Sequence, residues 1–157
     1  DHHMGRTMEK HGGVALSPRE AMRIPLLILS PGDPAVPAGA VSDVLGSQAD
    51  IAPTVLDLLG MEDKIPTGGQ SLLRSGVSRF AFHAWAGQAG WHEPGWFAIL
   101  DRERTLALFR PGDDPELKRN LAGTDDRRGE GALVLEHARA YWQTVNNLLL
   151  DNRVAPP

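Results

Sequence analysis

The chain contains no cysteine. Disulfides, thiolate metal sites and a cysteine nucleophile are therefore excluded within its 157 residues, while the redox compartment stays undecided. Long apolar runs are also missing: the longest fall far short of the ~20 residues that a membrane span requires. No segment reads as a secretory signal peptide. Positive charge is in deficit, with 16 Lys and Arg against 20 Asp and Glu and a formal net charge of −4. A general nucleic-acid binder presents a basic face, yet no basic cluster stands out here, and Arg127-Arg128 sits beside Asp125-Asp126. Nucleic acid is therefore not expected as a partner.

What is present suits a folded core. Hydrophobic residues make up 41% of the chain and charged residues 23%, both ordinary for a globular domain. Glycine and proline punctuate residues 1–22, which read as a loop with one helical turn near 18–22. The apolar run Ile24-Pro25-Leu26-Leu27-Ile28-Leu29 ends at Ser30-Pro31-Gly32. That pattern predicts a short strand buried on both faces, with Pro25 near its start, where no ladder donor is needed. A Pro-rich loop follows to Gly39. Residues 48–59 predict a helix: Ser47 or Asp50 caps it, Pro53 fits the first turn, Gly60 stops it, and Ile51, Val55, Leu58 and Leu59 share one face.

Residues 61–78 are polar and glycine-rich. Beyond them, residues 79–84 alternate as a strand. Residues 96–100 and 105–109 flank Asp101-Arg102-Glu103-Arg104 as an antiparallel hairpin. A long helix over 131–149 closes the chain, with Leu135, Ala138, Trp142, Val145 and Leu149 as its apolar stripe.

The candidate chemistry is concentrated near the start. Asp1-His2 pairs a carboxylate oxygen with an imidazole nitrogen, a donor set suited to a divalent metal. The string Asp1-His2-His3-Met4 reads alternatively as the remains of an affinity tag before a start methionine. His11 is either a surface residue of a Gly-rich loop or a contact to an anionic substrate oxygen. Arg23 either ties a backbone carbonyl at the mouth of the sheet or positions an anion, since a guanidinium matches phosphate and sulfate oxygens. His83 and His92 lie among Trp85, Trp91 and Trp96, either as core or as the lining of a pocket; His137 reads as structural. No Gly-rich nucleotide loop and no Gly-x-Ser-x-Gly elbow is present.

Taken in order, these pieces resemble a known family. Asp1-His2, His11-Gly12 and Arg23-Ile24-Pro25-Leu26-Leu27-Ile28-Leu29-Ser30-Pro31-Gly32 follow one another as in the sulfatase branch of the alkaline phosphatase superfamily. Asp50-Ile51-Ala52-Pro53-Thr54-Val55-Leu56-Asp57-Leu58-Leu59-Gly60 is similar to that branch's Asp-Ile-x-Pro-Thr helix, and Gly69-Gln70-Ser71-Leu72-Leu73 to its Gly-x-Ser-Leu-Leu. Leu106-Ala107-Leu108-Phe109, Asp114-Pro115-Glu116 and Asn120-Leu121-Ala122 resemble its closing segment. Two departures favour the relatives similar to lipoteichoic acid synthase. His3 follows the Asp-His pair where a glycine is usual, and residues 13–22 contain no lysine. Gln48 before Ala49-Asp50 points the same way.

The resemblance implies an α/β fold, the C-terminal portion of an alkaline phosphatase-like α/β/α sandwich, with a small antiparallel sheet and a long C-terminal helix. Residues 1–78 would belong to the core and 79–157 would form the antiparallel subdomain and closing helix. It implies Asp1 and His2 as metal ligands for manganese or calcium, and His11 and Arg23 as substrate contacts. The substrate would be a sulfate or phosphate ester, hydrolysed or, in the phosphoglycerol transferases, transferred. The nucleophile would lie in an N-terminal half not among these residues, so the chain alone would be inactive and open to self-association. The parent protein would work at the outer face of a bacterial inner membrane. A reading from a different class is a noncatalytic binding domain that uses the 85–96 tryptophan region.

Overall fold

The computed structural model describes residues 9–11, 14–16, 24–61, 68–85, 87–101, 104–151 and 153, the first two stretches by their backbone. They fall into two units, Asp1–Asp43 and Val44–Pro157. Among the described residues, no helix is long and apolar enough to cross a membrane.

In the first unit, β1 (Glu9–His11) and β2 (Val14–Leu16) pair antiparallel, Glu9 opposite Leu16 and His11 opposite Val14. The loop expected over this stretch is therefore partly a hairpin. Gly12-Gly13 between two short runs is a two-residue turn signal that outweighs the lack of periodicity. A second expectation also fails. Residues 24–29 are not in a strand: they run without regular structure, and Leu27 and Leu29 are each 80% exposed. A doubly buried strand needs a ladder partner on each side, and among the described residues no strand pairs with this run. The Pro-rich loop after it is as expected, with Asp33 Oδ1 accepting the Ala35 N–H at 2.9 Å as an Asx turn.

The second unit starts with a 3₁₀ turn, Gln48–Asp50, leading directly into α1 (Ile51–Leu58). Then comes a four-stranded antiparallel meander in chain order: β3 (Ala81–Trp85), β4 (Gln88–Glu93), β5 (Trp96–Leu100) and β6 (Thr105–Phe109). Its tight connections place Gly87 and Gly95 at φ of 79° and 83°, a region that favours glycine.

Register sorts the sheet into two faces. Phe82, Trp91, Ala98 and Leu108 are successive cross-strand partners, as are Ala81, His92, Phe97 and Phe109. The first row packs with α2 (Glu130–Leu150). Trp91, Ala98, Leu100 and Leu108 meet Val134, Leu135 and Ala138 in one buried cluster. Phe80 stacks on Trp91 at 4.5 Å, and Tyr141 meets Phe80 edge-on at 5.0 Å. The stripe expected along all of α2 is only partly buried. Leu135 and Ala138 are covered, Trp142 and Val145 half-covered, and Leu149 is 57% exposed. Geometry accounts for this. A helix of 21 residues runs about 30 Å, whereas four strands measure only about 15 Å across.

The outer side of β6 is finished by one side chain. Asn120 Oδ1 accepts the N–H groups of Leu108 (3.1 Å) and Ala122 (2.9 Å), while Nδ2 donates to the Leu106 carbonyl at 3.1 Å. Leu121 N–H donates to the Leu108 carbonyl at 2.7 Å. Asn120→Ala is expected to cost about 1–3 kcal/mol, because the strand loses a donor and an acceptor together. Asn120→Asp keeps the acceptor and should lie between the alanine variant and the parent chain in urea denaturation. Equal midpoints for all three chains would refute the clip.

Candidate functional site

Asp1, His2 and Arg23 lie outside the described residues. His11 is the last residue of β1, opposite Val14. The structure thus places one of the four predicted site residues and makes no test of their convergence. Among the described residues, no group of three or more His, Cys, Asp or Glu is placed to hold a metal ion.

The downstream motifs are described in full, and they do structural work. Asp50 is 3% exposed. Its Oδ2 accepts the Ser47 N–H and its Oδ1 the Gln70 N–H, both at 2.6 Å. One carboxylate therefore closes the start of the helical segment and holds a loop twenty residues away. Thr54 adds a second tie. Its hydroxyl donates to the Asp50 carbonyl at 2.6 Å and accepts the Leu72 N–H at 2.9 Å. Gly69 fits because it has no side chain, since a Cβ there would stand 2.1 Å from the Ala49 carbonyl oxygen.

Arg74 Nε and Nη2 donate to the two oxygens of Asp57 at 3.2 and 3.0 Å. The Asp57 carboxyl lies below its usual range because of the Arg74 hydrogen bond first and a Ser71 hydrogen bond second. Arg79 donates to the carbonyls of Ser71 (3.0 Å) and Arg74. The described residues of 47–61 and 68–79 are thus held by polar side chains that bond backbone groups and one another.

The sheet contributes the remaining candidates. Trp91 and Trp96 are buried in the core, so the 85–96 region offers no open tryptophan surface there; Trp85 is half-buried. Glu93 Oε1 accepts the Trp91 indole N–H at 2.9 Å and lies 2.8 Å from His137 Nδ1, which ties α2 to β4. The Arg110 guanidinium lies 4.3 Å over the Trp96 ring and pairs with Glu130 at 3.4 Å and Asp126 at 3.9 Å.

On the opposite face, His83 stacks on Trp85 with ring centres 4.8 Å apart. His92 stacks on Phe97 at 4.1 Å. Burial pushes the His83 pKa down to about 4, so its ring is uncharged at neutral pH. Burial first, and the negative charge of Asp50 second, raise the pKa of Tyr141.

Residues 1–61 match the sulfatase family model, which relates the chain to sulfatases over that segment. No curated protein matches the chain. Among solved structures it is similar to BT4656 in complex with its substrate D-glucosamine-2-N,6-O-disulfate. The identity is 14% over 62% of this chain and 24% of that one, with a TM-score of 0.48. A protein of Bacteroides thetaiotaomicron VPI-5482 assigned as a sulfatase shows 18% identity over 68% and 26%, with a TM-score of 0.43. The 2-O GAG sulfatase BT1596 shows 17% over 68% and 26%, with a TM-score of 0.41. The chain spans about a quarter of the length of each of these structures.

Proposed function

We propose that this chain is one part of a sulfatase-type, metal-dependent enzyme acting on sulfate or phosphate esters. In this reading Asp1 and His2 ligate the metal, and His11 and Arg23 contact the anionic group. One observation carries it: the sulfatase match spans residues 1–61, the stretch that holds all four residues. Residues 1–78 then contribute to the catalytic core, and 79–157 form the antiparallel subdomain with its closing helix.

The donor set narrows the metal. A carboxylate oxygen suits manganese and calcium alike, but an imidazole nitrogen suits manganese better, because calcium takes oxygen ligands. When bound, such an ion would neutralise charge on the ester and activate the attacking group. Two donors leave a shell incomplete, and the sequence has no cysteine that could serve as a precursor of a formylglycine nucleophile. We therefore assign the nucleophile and the other ligands to residues outside this sequence. His11 and Arg23 would hold the ester oxygens by charge-assisted hydrogen bonds.

A second reading has its own support. The absence of lysine from residues 13–22 removes a sulfate contact that arylsulfatases commonly use. Phosphoglycerol transfer at the outer face of a membrane, as in relatives of lipoteichoic acid synthase, is compatible with that absence.

The chain should bind manganese weakly by calorimetry, with Asp1→Ala and His2→Ala each abolishing the heat. It should show no turnover of aryl sulfates or aryl phosphates with manganese or calcium. Turnover that Asp1→Ala removes would overturn the partial-site reading. Manganese heats unchanged in both variants would overturn the ligand assignment.

A further inference from the structure

The β3–β4 hairpin carries polar atoms that neither the core nor the proposed ester site uses. His83 of β3 is the cross-strand partner of Gly90 of β4, on the face opposite the Phe82–Trp91 row. A Cβ on Gly90 would stand 2.2 Å from His83 Cε1 and 2.4 Å from Nε2. The imidazole therefore fills the space where a side chain of residue 90 would project. Side chains alternate along a strand, so Gln88 and His92 flank that space on the same face of β4.

This face of the hairpin therefore carries an amide, from Gln88, and two imidazoles, from His83 and His92. The two histidine rings have centres 5.3 Å apart. His83 Nε2 and Gln88 Oε1 are both buried, and among the described residues neither has a hydrogen-bond partner. Buried polar atoms are nearly always partnered, and exceptions point to an ion or a water that belongs there.

Two imidazole nitrogens and an amide oxygen suit a borderline divalent ion, whereas a hard ion such as calcium takes oxygens. The spacing agrees. Two imidazoles on one tetrahedral ion, each nitrogen ~2.0–2.1 Å from the metal, have ring centres about 5 Å apart. We propose that His83, His92 and Gln88 form a binding site for a zinc-like divalent ion on the β3–β4 hairpin, with water completing the shell. Only two of its donors are of the usual His, Cys, Asp and Glu kinds, so it is a weak, exchangeable site rather than a structural one. His83 is uncharged at neutral pH, and its nitrogen is therefore available without displacing a proton from a charged ring. Nothing in this site depends on Asp1, His2 or the ester chemistry.

The test uses the full chain carrying Asp1→Ala and His2→Ala, which removes the other proposed metal ligands. Zinc is titrated while the ring resonances of His83 and His92 are followed by NMR. Both should shift saturably with zinc and stay unmoved with calcium. Adding His83→Gln or His92→Gln should each lower zinc affinity more than about tenfold. Native tryptophan fluorescence checks that each variant is folded, and the half-buried His92 provides the test if His83→Gln unfolds. Ring resonances unmoved at saturating zinc, or equal zinc affinity in the folded variants, would overturn the site and leave an ordered water as the occupant.

Discussion

Gly69→Ala should lower the stability of residues 44–157 by more than about 3 kcal/mol, or prevent their folding, because the added methyl has nowhere to go. Its Cβ would stand 2.1 Å from the Ala49 oxygen, 2.3 Å from the Ala49 carbonyl carbon and 2.7 Å from the Asp50 nitrogen. All three are backbone atoms, so no rotamer change relieves the clash. Moving the loop away instead breaks the 2.6 Å bond from the Gln70 N–H to Asp50. It would leave a 3%-exposed carboxylate short of a donor. Gly112→Ala is the control, since a Cβ there meets nothing within 4 Å. Urea denaturation followed by tryptophan fluorescence should show Gly112→Ala near the parent midpoint and Gly69→Ala far below it. A parent-like midpoint for Gly69→Ala would mean that the loop does not pack on residues 49–50.

The second large effect is a pH dependence set by His83. Burial lowers its pKa from 6.5 to about 4 in the folded chain. The fold thus favours the uncharged ring, and the associated stability is fully present above pH 6.5. It is lost as the pH falls from there towards 4, where the folded ring also takes up its proton. The full loss is about 3 kcal/mol at ~1.4 kcal/mol per pKa unit. Carboxylates titrate over part of the same range, so the informative quantity is the difference between the parent chain and His83→Gln. With a chelator present, stability of the parent should fall more steeply between pH 6.5 and 4 than that of the variant, which has no proton to gain at that position. Parallel profiles would show that the ring is solvated in solution. Because the cause is burial alone, salt should change the difference little.

Much of the fold was legible because periodicity and punctuation agreed. Ser47, Pro53 and Gly60 bracket the helical segment that spans residues 48–58. The apolar runs 96–100 and 105–109, on either side of the charged stretch 101–104, mark β5 and β6 at their observed bounds. The apolar repeat from Leu135 marks α2. Strand β4 was not legible. Gln88-Ala89-Gly90-Trp91-His92-Glu93 has a glycine and three polar residues, and only its two neighbouring strands make it a strand. The apolar run at 24–29 failed in the opposite sense. Its composition suits a central strand, but a ladder is a property of two segments, and composition reports only one of them.

The candidate site divides along the same line. Asp1, His2, His11 and Arg23 were found from residue chemistry and order, and no distance links them here. Asp50 was visible as a helix cap, whereas Thr54, Gly69 and Asn120 were visible only as members of motifs. Their long-range roles emerged once distant partners appeared, such as Gln70 for Asp50 and Leu72 for Thr54. The Gly90 cradle under His83 had a faint signal, a glycine inside a strand, which often marks the close approach of another group.

The carboxamide of Asn120 carries one further consequence. A strand edge with free N–H and C=O groups is a template on which another chain can grow a sheet. By occupying Leu106 O and Leu108 N–H at once, Asn120 acts as a bookend that denies both positions to a newcomer. Its loss would therefore do more than loosen a turn. It would turn a closed border into an adhesive one, and the same substitution that softens the monomer would also favour its polymers.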